Sequence, residues 1–285
     1  MDALIASYGD SDSDTESKSP RLSIPLPPPS LSPSPLPPPP ISLLTPPNSF
    51  FGTLDDLQTV QAPRVRSFPH VDGNYAVHVY IPVFIPQSAR KEAAQFLKKV
   101  SLNIPGLHVV DADIPLENLL SDDPKLESIA LGREFHISLG RTVPIRVHQI
   151  DSMVNMLRQK LQIQKRYWID FNKWEVFVND DHTRAFLSLE VTTGGLSEIT
   201  KQIQAVNEAY RLHNLPEFYK DPRPHISLAW ALGDSSDLLR RVVEETKKQP
   251  DSGGSVQKRV FTVKFTGIEC KIGSKTYKLC KLPGE

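Results

Sequence analysis

Apolar residues recur along most of the chain at spacings typical of strands and helices. The run Y-A-V-H-V-Y-I-P-V-F at 75–84 is rich in β-branched and aromatic residues, which favours a buried strand. Apolar positions then recur at helical spacing over 89–102, and Ser88 is expected to cap this helix. The pattern therefore predicts a strand followed by a helix.

The same alternation of element types continues to the C-terminus. Further strands are predicted at about 107–111, 135–140, 166–171, 174–178, 184–191, 224–230, 259–267 and 275–281. Further helices are predicted at 147–163, 196–212 and 235–248. Strand and helix segments lead twice to a short strand that carries the tripeptide H-I-S. We therefore expect an α+β fold with an internal duplication.

The first 61 residues have a different composition. They contain G-D-S-D-S-D-T-E-S at 9–17 and L-P-P-P-S-L-S-P-S-P-L-P-P-P-P at 26–40. Such a segment cannot bury a core, so we predict a disordered N-terminal arm at 1–61 and one folded domain at 62–285. The P-x-x-P elements of the arm could be read by an SH3 or WW domain, and a plain tail is the alternative.

Charge and cysteine content limit the function classes. Lys plus Arg and Asp plus Glu each total 33, so any RNA binding must come from a local groove rather than from overall charge. The two cysteines, Cys270 and Cys280, lack the partners of a zinc site, and no metal or cofactor is expected. No apolar run of about 18 residues predicts a membrane span. A soluble, intracellular monomer is expected.

Both H-I-S tripeptides place a histidine and a serine on the same side of a strand. Side chains alternate along a strand, so His136 and Ser138 share one face while Ile137 points to the other. The same holds for His225 and Ser227. One such tripeptide is usually structural, but two copies 89 residues apart in a repeated context indicate a paired functional site.

These paired motifs resemble the double signature of the 2H phosphoesterase superfamily, and more closely its U6 snRNA phosphodiesterases. The resemblance rests on four segments: R-V-R-S-F-P-H-V-D-G-N-Y-A-V-H-V-Y-I-P at 64–82, E-F-H-I-S-L at 134–139, T-R-A-F-L-S-L-E-V at 183–191 and F-Y-K-D-P-R-P-H-I-S-L-A-W at 218–230. It implies two pseudo-symmetric antiparallel-sheet lobes with flanking helices and a groove between them. It does not extend to the N-terminal arm.

RNA can be cut without a metal because a ribose 2'-hydroxyl lies in line with the neighbouring phosphorus. One histidine can remove the proton of this hydroxyl while the other protonates the departing 5'-oxygen. Ser138 and Ser227 would donate hydrogen bonds to the non-bridging phosphate oxygens. The residues leave open which histidine has which role; the resemblance implies that His136 is the base and His225 the acid.

Further residues are expected to contact the substrate. By the resemblance, Tyr219 matches the position whose ring stacks on the terminal base. Asp180 and Arg223 lie where related proteins line the nucleotide site. The other assigned substrate contacts are motif positions: Ile137, Pro224 and Ile226. The remaining histidines, including His70 and His78, are expected to shape the fold.

The resulting hypothesis is a nuclear, metal-independent 3'-to-5' exoribonuclease. It would trim the oligouridine tail or the 3' end of U6 snRNA and leave a 2',3'-cyclic phosphate. One alternative is a 2',3'-cyclic phosphodiesterase that opens preformed cyclic ends of other RNAs. Another is a non-catalytic RNA-binding scaffold whose working part is the N-terminal arm.

Overall fold

The computed structural model describes residues 71–248, 260–280 and 282. The predicted N-terminal arm and its P-x-x-P elements lie outside these residues, as does His70. The described residues belong to one compact unit.

The described strands and helices follow one another in a mixed order. The strands are β1 (Asn74–Phe84), β2 (His108–Val109), β3 (Glu134–Ser138), β4 (Val143–Arg146), β5 (Trp168–Val178), β6 (Arg184–Val191), β7 (His225–Leu232), β8 (Phe261–Lys264), β9 (Glu269–Ile272) and β10 (Lys275–Lys278). The α-helices are α1 (Gln87–Ser101), α2 (Asp123–Leu126), α3 (Ile150–Leu161), α4 (Leu196–Leu212) and α5 (Ser236–Lys247).

These strands form two antiparallel sheets. The first has the order β10-β9-β1-β3, and β4 pairs with β1 on the same side as β3. The second has the order β2-β7-β6-β5-β8. The α+β class with two antiparallel sheets and flanking helices, which the sequence predicted, is therefore confirmed.

The internal duplication is visible in the strand register. In the first sheet β1 precedes α1 and pairs with β3, so that Tyr80 lies opposite Ser138. In the second sheet β6 precedes α4 and pairs with β7, so that Ser188 lies opposite Ser227. Each H-I-S tripeptide therefore lies on a strand that pairs with the strand just before a long helix.

Strand alternation directs one side of each sheet into a common core. On β1 the side chains of Val77, Val79, Ile81 and Val83 are at most 2% exposed. They join a hydrophobic cluster that includes residues of both sheets and of the helices. Burial of such side chains stabilises the fold by roughly 1.5–3 kcal/mol each. The opposite side of β1 carries His78 and Tyr80.

Helix α4 begins and ends where the sequence predicted, whereas α1 does not. Helix α1 begins at Gln87, and its N-cap is Pro86, without a side-chain cap hydrogen bond. The prediction that Ser88 caps this helix is wrong. Pro86 already sets the backbone turn, with the carbonyl of Pro86 accepting from the N–H of Ala89 at 2.9 Å, and Ser88 lies inside the first turn.

Some predicted strand bounds are also corrected. The segments at 166–171 and 174–178 form a single strand, β5, whose register against β6 shifts between Phe171 and Lys173. The strand predicted at 107–111 is only His108–Val109, because the chain turns at Asp111, where φ is 62°. Strands β4 and β9, of four residues each, were not predicted.

Candidate active site

The two H-I-S motifs meet where the two sheets adjoin. Strands β3 and β7 run close to each other. Burial has the largest effect on the pKa of His225 and lowers it. His136 is close enough to lower this pKa further by charge repulsion. His136, Ser138, His225 and Ser227 are all half-buried. We call the side of the two sheets that carries these four residues the motif face.

The neighbouring apolar motif residues point away from the motif face. The side chains of Ile137 and Ile226 are 0% exposed, and Pro224 is also buried. Strand alternation is the cause, because the residue beside each histidine is turned into the core. That these three residues contact the substrate stays a prediction, and with their side chains buried the contact would come from their backbone atoms.

His225 is fixed in one orientation and one tautomer. Its Nδ1 lies 2.7 Å from the backbone oxygen of Arg223. A carbonyl only accepts, so Nδ1 carries the hydrogen and Nε2 is left for chemistry. The ring also stacks on Phe177, with 3.8 Å between centroids and an angle of 9° between planes.

The surroundings of His225 act on its pKa in both directions. Burial lowers the pKa most, since it penalises the charged ring. The Arg223 carbonyl and the Glu190 carboxylate raise it, whereas the charges of His136 and Arg223 lower it. The net effect is a lowered pKa, with a carboxylate and a carbonyl close by to stabilise the imidazolium once it forms.

An ion-pair network lies beside the N-terminal end of β7. The Nε and Nη2 of Arg223 donate to the two oxygens of Glu190 at 2.6 and 2.7 Å, and Nη2 also donates to Glu175 at 2.8 Å. Lys173 contacts the same two carboxylates at 2.7 and 3.3 Å. Arg223 was predicted to contact the nucleotide, but its guanidinium is directed at these carboxylates and its carbonyl holds His225.

His136 is held by aromatic neighbours. The edge of its ring meets His78 at a centroid distance of 4.7 Å and Tyr80 at 5.9 Å. Burial lowers the pKa of His136; Asp111 raises it, and the positive charges of Arg133 and Lys271 lower it further. Lys271 lies directly across from His78 in the β1–β9 register.

His78 is a site residue that sequence reasoning assigned to the fold alone. Its Nε2 lies 3.0 Å from the Oγ of Ser138, and its ring stacks on Tyr80 at 4.9 Å. Burial lowers its pKa to about 3, and the charges of His136 and Lys271 add to this effect. The available signal was the alternation in β1, which sets His78 and Tyr80 on the side opposite the buried valines.

The second motif serine has a different neighbour. The Oγ of Ser227 lies 3.1 Å from the Oγ of Ser188, which is fully buried on β6. Either hydroxyl can be the donor in this pair. Each motif serine is therefore hydrogen-bonded by one side chain of a neighbouring strand, an imidazole for Ser138 and a hydroxyl for Ser227.

Tyr219 and Asp180, both predicted to contact substrate, contact each other. The Tyr219 hydroxyl donates to Asp180 Oδ1 at 2.9 Å. The guanidinium of Arg141, which was not predicted, lies 4.1 Å from the centre of the Tyr219 ring and pairs with Asp180 at 2.5 Å. Tyr219 is 45% exposed, so part of this residue remains accessible to solvent.

Two kinds of feature are not found within the described residues. In residues 71–248, 260–280 and 282, no three or more His, Cys, Asp or Glu side chains are grouped so as to hold a metal ion. No helix in that part of the chain is both long and apolar enough to span a bilayer.

Comparison with known proteins assigns the family. The HVSL family, described as an uncharacterised conserved protein, matches residues 37–280. The U6 snRNA phosphodiesterase 1 of Homo sapiens is 30% identical over 240 residues, covering 81% of this chain and 80% of that protein. The Xenopus laevis protein of the same name is 30% identical over 245 residues, covering 82% and 88%. The chain belongs to the U6 snRNA phosphodiesterase 1 family.

A solved structure agrees with the family fold. Kluyveromyces marxianus Usb1, solved with uridine monophosphate, superposes with a TM-score of 0.51. It is 12% identical, and the match covers 72% of this chain and 97% of that one. At this identity the likeness concerns the fold alone. Membership of the U6 snRNA phosphodiesterase 1 family, predicted from the paired motifs, is thus confirmed independently by sequence comparison.

Proposed function

We propose that this protein is a metal-independent 3'-to-5' exoribonuclease that trims the 3' end of U6 snRNA and leaves a 2',3'-cyclic phosphate. The observation that carries the proposal is the approach of His136 and His225 from two different sheets. The names of its relatives supply the substrate. RNA is thus the proposed partner, and the nucleus is the compartment in which this substrate would be met.

The reaction requires two proton transfers on opposite sides of one phosphorus atom. A base removes the proton of the penultimate 2'-hydroxyl, whose oxygen forms a bond to phosphorus. The bond from phosphorus to the 5'-oxygen of the terminal nucleoside breaks, and an acid gives that oxygen a proton. Acid–base catalysis of this kind contributes roughly 10²–10⁴-fold.

The charges around each histidine support one assignment of roles. His225 has the carbonyl of Arg223 and the carboxylate of Glu190 beside it, and both favour the protonated ring. Around His136 the carboxylate of Asp111 favours the protonated ring, whereas the two cations Arg133 and Lys271 disfavour it. We therefore assign His225 as the acid and His136 as the base. The negative charge of a bound phosphate would raise the pKa of both rings.

Two motif serines and Tyr219 are the proposed contacts to the phosphate and to the terminal base. Ser138 and Ser227 are the proposed donors to the non-bridging oxygens, where negative charge develops. The exposed ring of Tyr219 is a proposed platform for the terminal base, backed by Arg141 and tethered by Asp180. Stacking accepts any base, so discrimination between uridine and adenosine would need further contacts.

The decisive experiment is metal-free digestion. A 3'-hydroxyl oligouridylate is incubated with the protein in EDTA, and the product ends are mapped by mass spectrometry. We expect stepwise shortening with 2',3'-cyclic phosphate ends. A requirement for added metal would contradict the proposal, and complete conversion to 3'-phosphate would add a second, ring-opening step.

A matched pair of substrates tests the origin of the nucleophile. Replacing the penultimate ribose by deoxyribose should abolish removal of the last nucleotide, because the attacking hydroxyl is gone. Replacing only the terminal ribose should leave the first cleavage in place. Equal cleavage of both substrates would show that water attacks instead.

Two predictions about assembly remain for separate tests. We propose that the protein acts as a monomer, which sedimentation at working concentration would check. An SH3 or WW domain as reader of the N-terminal arm also stays a prediction, and it concerns residues outside the described part of the chain.

A further inference from the structure

We infer that His78 is a positioning residue for Ser138: it donates its Nε2–H to the serine oxygen and so directs the serine hydroxyl towards the phosphate. This inference rests on the proposed function for what the hydroxyl then contacts. The hydrogen bond itself, 3.0 Å between Nε2 and Oγ, is independent of it.

The fold holds the ring of His78 against its neighbours on the motif face. Strand β1 alternates, so the side chains of Val77 and Val79 are buried in the core while the ring of His78 lies on the motif face. The ring is enclosed between Tyr80, on which it stacks, and the edge of His136. It is therefore fixed on several sides and cannot swing to a new hydrogen-bond partner.

His78 stays uncharged throughout the physiological pH range. Burial, then repulsion from His136 and Lys271, lowers its pKa to about 3. A neutral imidazole carries one N–H, so Nε2 is either a donor or an acceptor towards Ser138. The ring is consequently a fixed dipole rather than a third acid or base.

The two tautomers have opposite consequences for Ser138. If Nε2 carries the hydrogen, it donates to Oγ, and the single O–H of the serine is free to point at an incoming phosphate oxygen. If Nδ1 carries it, Nε2 accepts the serine O–H, which then points at His78 and not at an incoming phosphate. A phosphate gains a hydrogen bond only with the first tautomer, so substrate binding favours it.

The test is a double-mutant cycle of His78 and Ser138, in which His78 is replaced either by an aromatic residue or by an amide. His78→Phe keeps the aromatic packing but removes the donor; His78→Gln places an amide nitrogen near the position of Nε2. Loss of a direct transition-state donor costs about 10²–10³ in kcat. We expect His78→Phe to lower kcat about tenfold with little change in KM, and His78→Gln to recover most of that loss.

If His78 positions Ser138, the effects of His78→Phe and Ser138→Ala on kcat are not additive in free energy. A merely structural role of His78 would give additive effects. In a Ser138→Ala background, His78→Phe should cost less than about twofold, because the hydroxyl it orients is gone. Multiplicative losses, or His78→Gln no better than His78→Phe, would overturn the inference. Unfolding temperatures within about 2 °C of the wild type identify variants that retain the fold.

A measurement without turnover keeps the inference testable if the wild type does not cleave RNA. Nitrogen chemical shifts of the ¹⁵N-labelled imidazoles are recorded with saturating uridine 3'-monophosphate as the probe. A protonated Nε2 and an unprotonated Nδ1 on His78 are expected in that complex. The opposite pattern would refute the role of His78 even in an active enzyme, while an inactive wild type would refute the proposed function alone.

Discussion

The two halves of this domain share a tripeptide and a strand register, yet they hold their histidines by different means. His225 is fixed by a carbonyl, a stacked phenyl ring and the network of Lys173, Glu175, Glu190 and Arg223. His136 makes edge contacts with the rings of His78 and Tyr80, and its charged neighbours are the cations Arg133 and Lys271 and the carboxylate of Asp111. Duplication therefore reproduced the backbone geometry but not the electrostatics.

This difference matters because the two histidines cannot have the same role in one step. An acid is helped by neighbours that favour its protonated ring, and a base by neighbours that disfavour it. The carboxylate of Glu190 and the ammonium of Lys271 provide this distinction. Each can be altered separately, which makes the comparison testable.

The largest expected effect is the loss of either histidine. His136→Ala and His225→Ala should each lower kcat by about 10²–10⁴, and the double variant should be little worse than either alone, because the two act as a unit. Single-turnover cleavage of an oligouridylate is the measurement. Full multiplication of the two losses would mean that the two rings work in separate steps.

Next in size is the effect of removing Arg223. Arg223→Met leaves the carboxylate of Glu190, whose side chain is 7% exposed, with only Lys173 as partner. Breaking a fully buried pair costs about 3–5 kcal/mol; we expect about 2 kcal/mol in the free energy of unfolding here, measured by urea denaturation. Arg240→Met, which removes the exposed pair with Asp237, is the matched control and should cost under about 0.5 kcal/mol.

Arg223→Met should also change how the free energy of unfolding depends on pH. Burial alone would raise the pKa of Glu175, but hydrogen bonds from Lys173, from the Val176 N–H and from Arg223 lower it to about 2, from 4.5. A carboxylate with a depressed pKa stabilises the folded state fully above 4.5 and loses this contribution as pH falls towards about 2. Unfolding titrations over this window should show a weaker acid dependence in Arg223→Met; an unchanged dependence would exclude Arg223 as a source of the low pKa of Glu175.

A smaller effect is expected in the half that contains His136. Lys271→Met removes a positive charge that disfavours the protonated ring, so the pKa of His136 rises. If His136 is the base, the acidic limb of the kcat/KM profile moves to higher pH. Lys275→Met, which lies across from the buried Ile272 on the other side of the sheet, is the charge-matched control. Movement of the alkaline limb instead would exchange the two roles.

The smallest effect is expected at Ser188. Ser188→Ala removes the hydroxyl beside Ser227 but leaves that serine free to rotate towards a phosphate. A neutral hydrogen bond contributes about 0.5–1.5 kcal/mol, which corresponds to roughly 2- to 13-fold in rate. We expect the low end of this range in kcat, below the effect of His78→Phe. A larger loss than His78→Phe would mean that the hydroxyl pair, not the imidazole, is the stronger support.

The sequence predicted those features that depend on local periodicity. The faces of β3 and β7 follow from the alternation of side chains along each strand. His136 and Ser138, and likewise His225 and Ser227, could therefore be paired from the sequence alone. Helix α4 was predicted at its observed bounds because its 17 residues keep one apolar stripe. The four-residue strands β4 and β9 were not predicted; each is defined by its pairing with β1, which periodicity does not show.

Contacts between distant segments were decided by the tertiary structure alone. His78 and Ser138 are 60 residues apart, and Arg223 and Glu175 are 48 apart. Which side chains meet depends on how β1 pairs with β3 and how β5, β6 and β7 align. A shift of one residue in any pairing would exchange the faces. Periodicity thus fixes which side of a strand a residue occupies, but only the register between strands fixes what it touches.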